Sequence, residues 1–362
     1  MRVLALTRYT RLGASSRMRF HQYAPFLRAH AIDVRFAHFF SDDYLMALYA
    51  NGKRRGADIV VAYLRRLRDL FSSGDYDVIW LEKEILPWLP AWAEENIAAR
   101  GIPLVVDYDD AIFHGYDLNK RACVRRFLGR KIDHVMRVAS VVVCGNGYLA
   151  HRAAAAGANR VETIPTVIDL DRYILPAVPA GNRPFTIGWI GSPATEGYLE
   201  AVKPALDALC RDGHCRVLLV GASTRACSGL AGVEVRAWSE EREAADIAEF
   251  DVGIMPLPDG PWERGKCGYK LIQYMALGKP VVASPVGANN DIVISGENGF
   301  FATGPAQWRE VLGNLRDDPV RRRVMGEYGR RQVEQCYCAR VTAPRLVSIL
   351  LAAGAKRHAR VD

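Results

Sequence analysis

Residues 265–287, GKCGYKLIQYMALGKPVVASPVG, hold a loop, a helix and the start of a strand in one run. The glycine-broken loop leads into a helix expected from about Cys267 to Leu277, which Gly278 closes before Pro280 opens a strand. Glycine at the stop and proline at the restart is the usual punctuation of such a unit. The first turn of that helix offers free backbone N–H groups and the positive end of the helix dipole, where a phosphate can bind. Lys266 and Lys270 add full charge there, and Gly268 and Tyr269 lie between them. Lys270 and Gln273 share a face, so an ammonium can meet a diphosphate or carboxylate while an amide reaches a ribose or sugar hydroxyl. A solvated lysine pair on an ordinary amphipathic helix has the same pattern.

Upstream of this run, strands are expected at Phe185 to Ile190, Arg216 to Val220, Val233 to Arg236 and Val252 to Met255, with helices between them. The first half repeats the alternation. Met1 to Thr7 is a strand, Thr10 to Ser16 a glycine loop and Arg17 to His30 a helix, followed by strands at Asp33 to Phe36, Val78 to Leu81, Leu104 to Asp107 and Val141 to Cys144. Such alternation implies an α/β protein of two doubly wound Rossmann-like domains, each a parallel sheet covered by helices. The four prolines between Ile164 and Pro184 mark a linker, with the boundary near Gly181. The expected domains are residues 1–180, residues 181–335, and a helical tail at 336–362 that packs back on the first domain and is interrupted by Pro344. Sheets of this kind bind ligands at the carboxyl ends of their strands, so two domains facing a cleft would bring their strand-end loops to it.

The 362 residues are half hydrophobic and 24% charged, enough chain for about two domains of ~150 residues. No apolar run approaches the ~20 residues of a membrane span, and the N-terminal MRVLALTRYTRLGASSR has too short an apolar segment for a signal peptide. A cytoplasmic protein is therefore expected. The eight cysteines form no CxxC pair, which disfavours a zinc cluster or a disulfide framework and points to reduced thiols. Forty-eight Lys and Arg against 40 Asp and Glu give a net charge of +8, suited to an anionic partner. Nucleic acid is disfavoured, because the basic runs lack interleaved aromatics and no recognition module is present.

The stretch Gln273-Tyr274-Met275-Ala276-Leu277-Gly278-Lys279-Pro280-Val281-Val282-Ala283 resembles the donor-binding motif of the GT-B retaining glycosyltransferases of family 4. That motif ends in E-[AY]-M-A-x-G-x-P-V-V-A, and the match fails only at its first position. Weaker likenesses lie at the Gly13 loop, at Pro165 to Tyr173 (PTVIDLDRY) and at Ile187 to Ser192 (IGWIGS). The resemblance implies a GT-B fold, a nucleotide-diphosphate sugar as donor, retention of anomeric configuration and no obligatory metal or other cofactor. It also exposes two departures. The family's paired glutamates, one on sugar hydroxyls and one on the ribose, fall here on Gly265 and Gln273. Glu263 is a possible substitute for the first, and Lys266 and Lys270 would supply the positive charge that the family usually places after the first strand of its second domain.

Further loops carry candidate residues. Val105 to Tyr116 (VVDYDDAIFHGY) runs from a strand into Asp107, Asp109, Asp110 and His114. Asp109 or Asp110 suits a base that orients or deprotonates an acceptor hydroxyl, and equally an N-cap at Ala111. The resemblance implies His114 as a contact to the transferred sugar, and a packed or surface histidine fits the position equally. Metal binding is disfavoured, because a hard cation needs more oxygen ligands than this run supplies. In RLGASSRMR, Gly13 allows a close backbone approach, and Arg17 and Arg19 suit a phosphate. Gly191, Ser192 and Gly221 end strands and suit a diphosphate, while Trp238 and Met255 to Asp259 are expected to border the base.

Two basic segments, Lys53-Arg54-Arg55 with Arg65-Arg66-Arg68, and the helix expected at Lys120 to Arg137, suit the surface of an anionic membrane as well as they suit plain solvation. The expected activity is glycosyl transfer. Asp109, Asp110, His114 and Lys270 would be catalytic, and Gly13, Arg17, Gly191, Ser192, Gly221, Lys266, Cys267, Gly268, Tyr269, Lys270 and Gln273 would bind the donor. The acceptor would carry a hydroxyl and is open to lipid linkage, with the protein at the inner face of the cytoplasmic membrane. A catalytically silent nucleotide-sugar-binding partner and a nucleotide-sugar epimerase are the alternatives.

Overall fold

The computed structural model describes residues 1–51, 56–175, 183–211, 213–230 and 232–358. They form two compact units. Unit 1 comprises Met1–Thr166, Arg264–Cys267 and the chain from Ala339 onward, and unit 2 comprises Val167–Glu263 and Gly268–Cys338. The boundary expected near Gly181 and the basic run Lys53 to Arg55 lie outside the described residues.

Unit 1 holds a six-stranded sheet of β1 (Arg2–Thr7), β2 (Asp33–His38), β3 (Val78–Glu82), β4 (Leu104–Tyr108), β5 (Val141–Cys144) and β6 (Val161–Thr163). Its order is β2-β1-β3-β4-β5-β6, and every pairing is parallel. β3 and β4 are buried at every position, as strands covered on both faces must be. Trp80 in β3 is fully buried, with the Phe20 ring 4.2 Å from it. The chain reverses its winding between β1 and β3, so the ends of these strands, Thr7 and Glu82, flank the position where a doubly wound sheet opens its ligand crevice.

Unit 2 holds β7 (Phe185–Ile190), β8 (Cys215–Val220), β9 (Val233–Arg236), β10 (Val252–Met255), β11 (Val281–Ala283) and β12 (Gly299–Phe301), in the parallel order β12-β11-β10-β7-β8-β9. The winding reverses between β7 and β10. Their register pairs Val252 with Ile187 and Gly253 with Gly188. Beyond that the Tyr274 hydroxyl spans the two strands, accepting from Ile190 N at 3.0 Å and reaching Ile254 O at 3.3 Å. A Cβ at position 253 would stand 2.1 Å from the Tyr274 ring, so glycine there makes room for the tyrosine.

The elements depart from the sequence reading in four places. β6 and β12, three residues each, are too short to show a period. The helix expected over Arg17 to His30 is split into Ala14–Arg19, a 3-10 turn at His21–Tyr23 and Ala24–Ala29, because Pro25 cannot donate to the preceding turn and instead starts a new helix. The basic helix breaks at Gly129 and Arg130 into Ala122–Leu128 and Lys131–Val138. Pro344, expected as an interruption, lies inside the continuous helix Ala339–His358. That helix packs in unit 1, where Tyr23 Oη and Thr342 Oγ1 are 2.8 Å apart.

Candidate active site

In unit 1 the charged residues gather where β3 and β4 end. Arg19 grips Asp107 through both carboxylate oxygens, Nε at 2.7 Å and Nη2 at 2.9 Å, and its Nη1 donates to Ile164 O at 2.7 Å. Both side chains are buried. This arginine is a strut between strand and loop rather than an open phosphate ligand. Arg17, also buried, donates to the carbonyls of Arg11 and Leu12 at 3.1 and 3.3 Å and so braces the loop of Gly13, whose N–H is tied to Thr10 O at 3.1 Å.

Lys83, the residue after β3, organises the Asp109 loop. Its ammonium stands 2.8 Å from Asp109 Oδ1 and 3.6 Å from Asp110 Oδ2, and its backbone is left-handed at φ 67°. A non-glycine residue held there stores strain of the kind found at functional loops. Burial opposes the charge on all three groups, yet the pairing prevails at Lys83, which is held above its ordinary value, and at Asp109, which is held below. Burial and the neighbouring Asp109 charge push Asp110 up. Asp110 also faces Lys266 at 3.8 Å. Neither aspartate caps the helix that follows, His114–Asp117, which starts at Phe113 without a side-chain cap. His114 has both ring nitrogens engaged, Nδ1 with Asp117 Oδ1 and Nε2 with Tyr148 Oη, each at 2.8 Å.

Lys266 and Cys267 belong to unit 1. Asn146 Nδ2 donates to Lys266 O at 2.9 Å, and the Cys267 thiol to Asp109 O at 3.1 Å. Gly265 lies so close to Ala111 that a Cβ there would be 2.4 Å from its Cβ and 2.7 Å from its N. A glutamate at that position has no room, which accounts for the first departure from the resembled motif. Glu263, the suggested substitute, accepts from Tyr198 Oη at 2.7 Å in unit 2. Among the described residues, no group of three or more His, Cys, Asp or Glu is arranged to hold a metal ion.

In unit 2 the remaining candidates lie at the switch point and around it. Gly221, after β8, is left-handed at φ 79°, and a Cβ on it would stand 2.3 Å from Gly191 O, so these two strand ends approach as bare backbone. The Ser192 turn closes on Thr195, whose Oγ1 donates to Ser192 O at 3.1 Å. Gly268, left-handed at φ 64°, opens the helix Tyr269–Ala276, two residues later than expected. Lys270 Nζ lies 5.6 Å from the centre of the Trp189 ring, beside the end of β7. Gln273 is buried and donates to Tyr173 Oη at 3.2 Å. Tyr173 donates in turn to Glu243, which also accepts from Trp238 Nε1 at 2.7 Å. Where the motif has a glutamate, this chain thus has an amide tied to a tyrosine and a buried carboxylate.

Residues 184–318 match the family described as Glycosyl transferases group 1. Over that segment, most of unit 2, the chain is similar to the group 1 glycosyltransferases. Solved structures extend the likeness to the whole fold. Sucrose-phosphate synthase from Thermosynechococcus elongatus superposes with a TM-score of 0.75 at 14% identity, over 98% of this chain and 99% of that one. HepE of Anabaena, in complex with UDP and glucose, gives 0.69 at 16% identity over 97% and 100%. WaaG, a glycosyltransferase involved in lipopolysaccharide biosynthesis, gives 0.67 at 13% over 97% and 99%. No curated protein matches the sequence. The chain therefore has the GT-B fold, in which its two sheets are the two Rossmann-like domains. Sequence reasoning missed Lys83, Tyr274's place between the strands, and Glu243. The signal for the first was present in Glu82-Lys83-Glu84, three charges at the end of an apolar strand.

Proposed function

We propose that this glycosyltransferase moves a sugar from a nucleotide-diphosphate sugar to a hydroxyl acceptor with retention of configuration, and that it needs no other cofactor. The observation that carries the reading is the bare-backbone approach of Gly191 and Gly221 at the carboxyl ends of β7 and β8, in the same unit as a glycine-started helix bearing Lys270. The N–H groups of Gly191 and Gly221 are spent on Val220 O at 2.9 Å and Arg236 O at 2.8 Å, so the two glycines clear space for a phosphate and the first turn of the helix donates to it. Support for a nucleotide sugar comes from HepE, whose structures hold UDP and UDP-glucose.

In this reading Gly191, Ser192, Gly221 and the first turn at Gly268 and Tyr269 hold the diphosphate. Lys270 neutralises the charge that grows on the leaving phosphate. Gln273 meets the ribose, with its amide oriented by Tyr173. Unit 1 receives the acceptor. Asp110, more exposed than Asp109 and pushed up in pKa, is the better proton acceptor for a hydroxyl, and Lys83 keeps Asp109 ionised beside it. His114, Gly13, Arg17, Lys266 and Cys267 shape the surrounding loops. The acceptor is lipid-linked, and the enzyme works at the cytoplasmic face of an anionic membrane through its basic helices. No helix among the described residues is long and apolar enough to cross a membrane.

The test is to incubate the purified protein with nucleotide sugars and candidate acceptors, and to follow nucleoside diphosphate release together with the anomeric coupling of the product. Release that depends on the acceptor, with the donor's anomeric configuration preserved, is expected. An inverted product would overturn the retaining assignment, and a changed sugar without acceptor would establish the epimerase alternative.

A further inference from the structure

One side of unit 1 carries exposed apolar groups beside unpaired arginines. The helix Gly56–Phe71 buries Ala62, Arg66 and Asp69 on one face, while Val60, Leu64, Leu67 and Phe71, at helical spacing, stand exposed on another. Phe71 is 88% exposed. Tyr63, on the flank of that stripe, donates to Pro87 O, so the stripe runs beside the loop that carries Trp88 and Leu89. Trp88 is held out at φ 63° with its N–H on Tyr116 Oη at 3.0 Å. Past this loop lies a surface hollow of about 480 Å³. Its wall includes Pro90 and Trp92 on one side, and Arg125, Arg126, Phe127 and Arg130 on the other. Trp92 is 65% and Phe127 75% exposed. The helix Ala122–Leu128 buries none of its residues.

We propose that this face is a docking surface for an anionic lipid bilayer, with Trp88, Trp92, Phe127 and the stripe of Gly56–Phe71 set into the interface and the hollow at Arg126 and Arg130 receiving a phosphate-bearing headgroup. The proposal rests on the acceptor reading above and names the surface that would deliver a lipid-linked acceptor. Three features select a bilayer. Tryptophan with an apolar body and a polar N–H suits the water–lipid boundary. The rim is cationic: the guanidinium groups of Arg126 and Arg130 have no hydrogen-bond or ion-pair partner among the described residues, although that of Arg125 donates to the carbonyls of Asn119 and Lys120. Arg65 and Arg68 add charge along the first helix, and the one acidic residue lining the hollow, Glu95, lies 4.0 Å from His134. An amphipathic helix with a basic flank and modest overall hydrophobicity lies in the interface plane rather than crossing it.

The experiment is flotation of the full chain with vesicles of phosphatidylcholine alone and of phosphatidylcholine with roughly a third phosphatidylglycerol. Binding to the anionic vesicles, weakened by salt, is expected. Each basic residue near such a surface contributes about fivefold, so the Arg126→Gln/Arg130→Gln variant should bind them on the order of twentyfold less tightly. Phe127→Ser should also lose binding, and the native tryptophan emission should shift to the blue on anionic vesicles. Nucleoside diphosphate binding by the arginine variant, measured in parallel, should be unchanged, which separates loss of this surface from loss of the donor reading. Failure of the wild-type chain to float, equal binding to both vesicle types, or loss of the exposed face to a second copy of the chain by light scattering would overturn the proposal.

Discussion

Replacing Tyr274 with Phe removes one oxygen from the place where β7 and β10 part. The side chain keeps its ring, which Gly253 accommodates and Phe250 meets edge-on at 5.8 Å, so no cavity larger than the hydroxyl opens. What is lost is the partner of the Ile190 N–H at 3.0 Å and a contact to Ile254 O at 3.3 Å, both in a fully buried setting. Leaving a buried donor unsatisfied costs about 1–3 kcal/mol. A value of about 2 kcal/mol corresponds to a melting shift of roughly 4–8 °C for a unit of this size. The sharper assay is amide hydrogen exchange. Ile190 should exchange roughly thirtyfold faster if its protection reflects that bond, while Phe185 at the other end of the strand, bonded to His214 O at 2.9 Å, should change far less. Unchanged Ile190 protection with a melting shift below about 1 °C would refute the bridging role.

Three other predictions concern single residues. Gly265→Ala should destabilise the protein by about 1–3 kcal/mol, because its Cβ would meet the Ala111 backbone, so Gly265→Glu cannot recreate the resembled motif; an unchanged melting curve would contradict this. In native protein, iodoacetamide should label exposed Cys123 and Cys336 and spare Cys267, whose thiol burial pushes up; mass spectrometry of the labelled peptides decides it. His21, partly buried against Phe36 at 4.3 Å, has its imidazole lowered from 6.5 to about 4, mainly by burial and then by Arg11 and His38. The unfolded chain therefore takes up a proton first. His21's contribution to stability is complete above pH 6.5 and is lost as the pH falls toward 4, and His21→Phe should flatten that limb in urea titrations.

The sheets were legible because buried parallel strands are continuous apolar runs, so β5, β7 and β10 fall where the sequence places them, while the half-buried edge strand β9, VEVR, shows as an alternation. The loop–helix–strand run at 265–287 was legible through its glycine and proline punctuation. The site was less so. Arg19 and Asp107 stand 88 residues apart, and Gln273 and Tyr173 stand 100 apart, and nothing local in either segment signals its partner. Aspartates 109 and 110 read as caps or bases from composition, whereas the fold sets a lysine from the neighbouring strand between them. The glycine at 265 read as a missing carboxylate until its distance to Ala111 showed that the backbone itself fills the space.

The central claim is that unit 2 holds a nucleoside diphosphate beside Lys270. Titration calorimetry of the wild-type chain and of Lys270→Ala with UDP, GDP, ADP and TDP tests it directly. One diphosphate should bind, and the variant should bind it roughly tenfold or more weakly, as loss of a charge-assisted contact to phosphate implies. Equal affinity in the two proteins, or no binding by any of the four, would contradict the account.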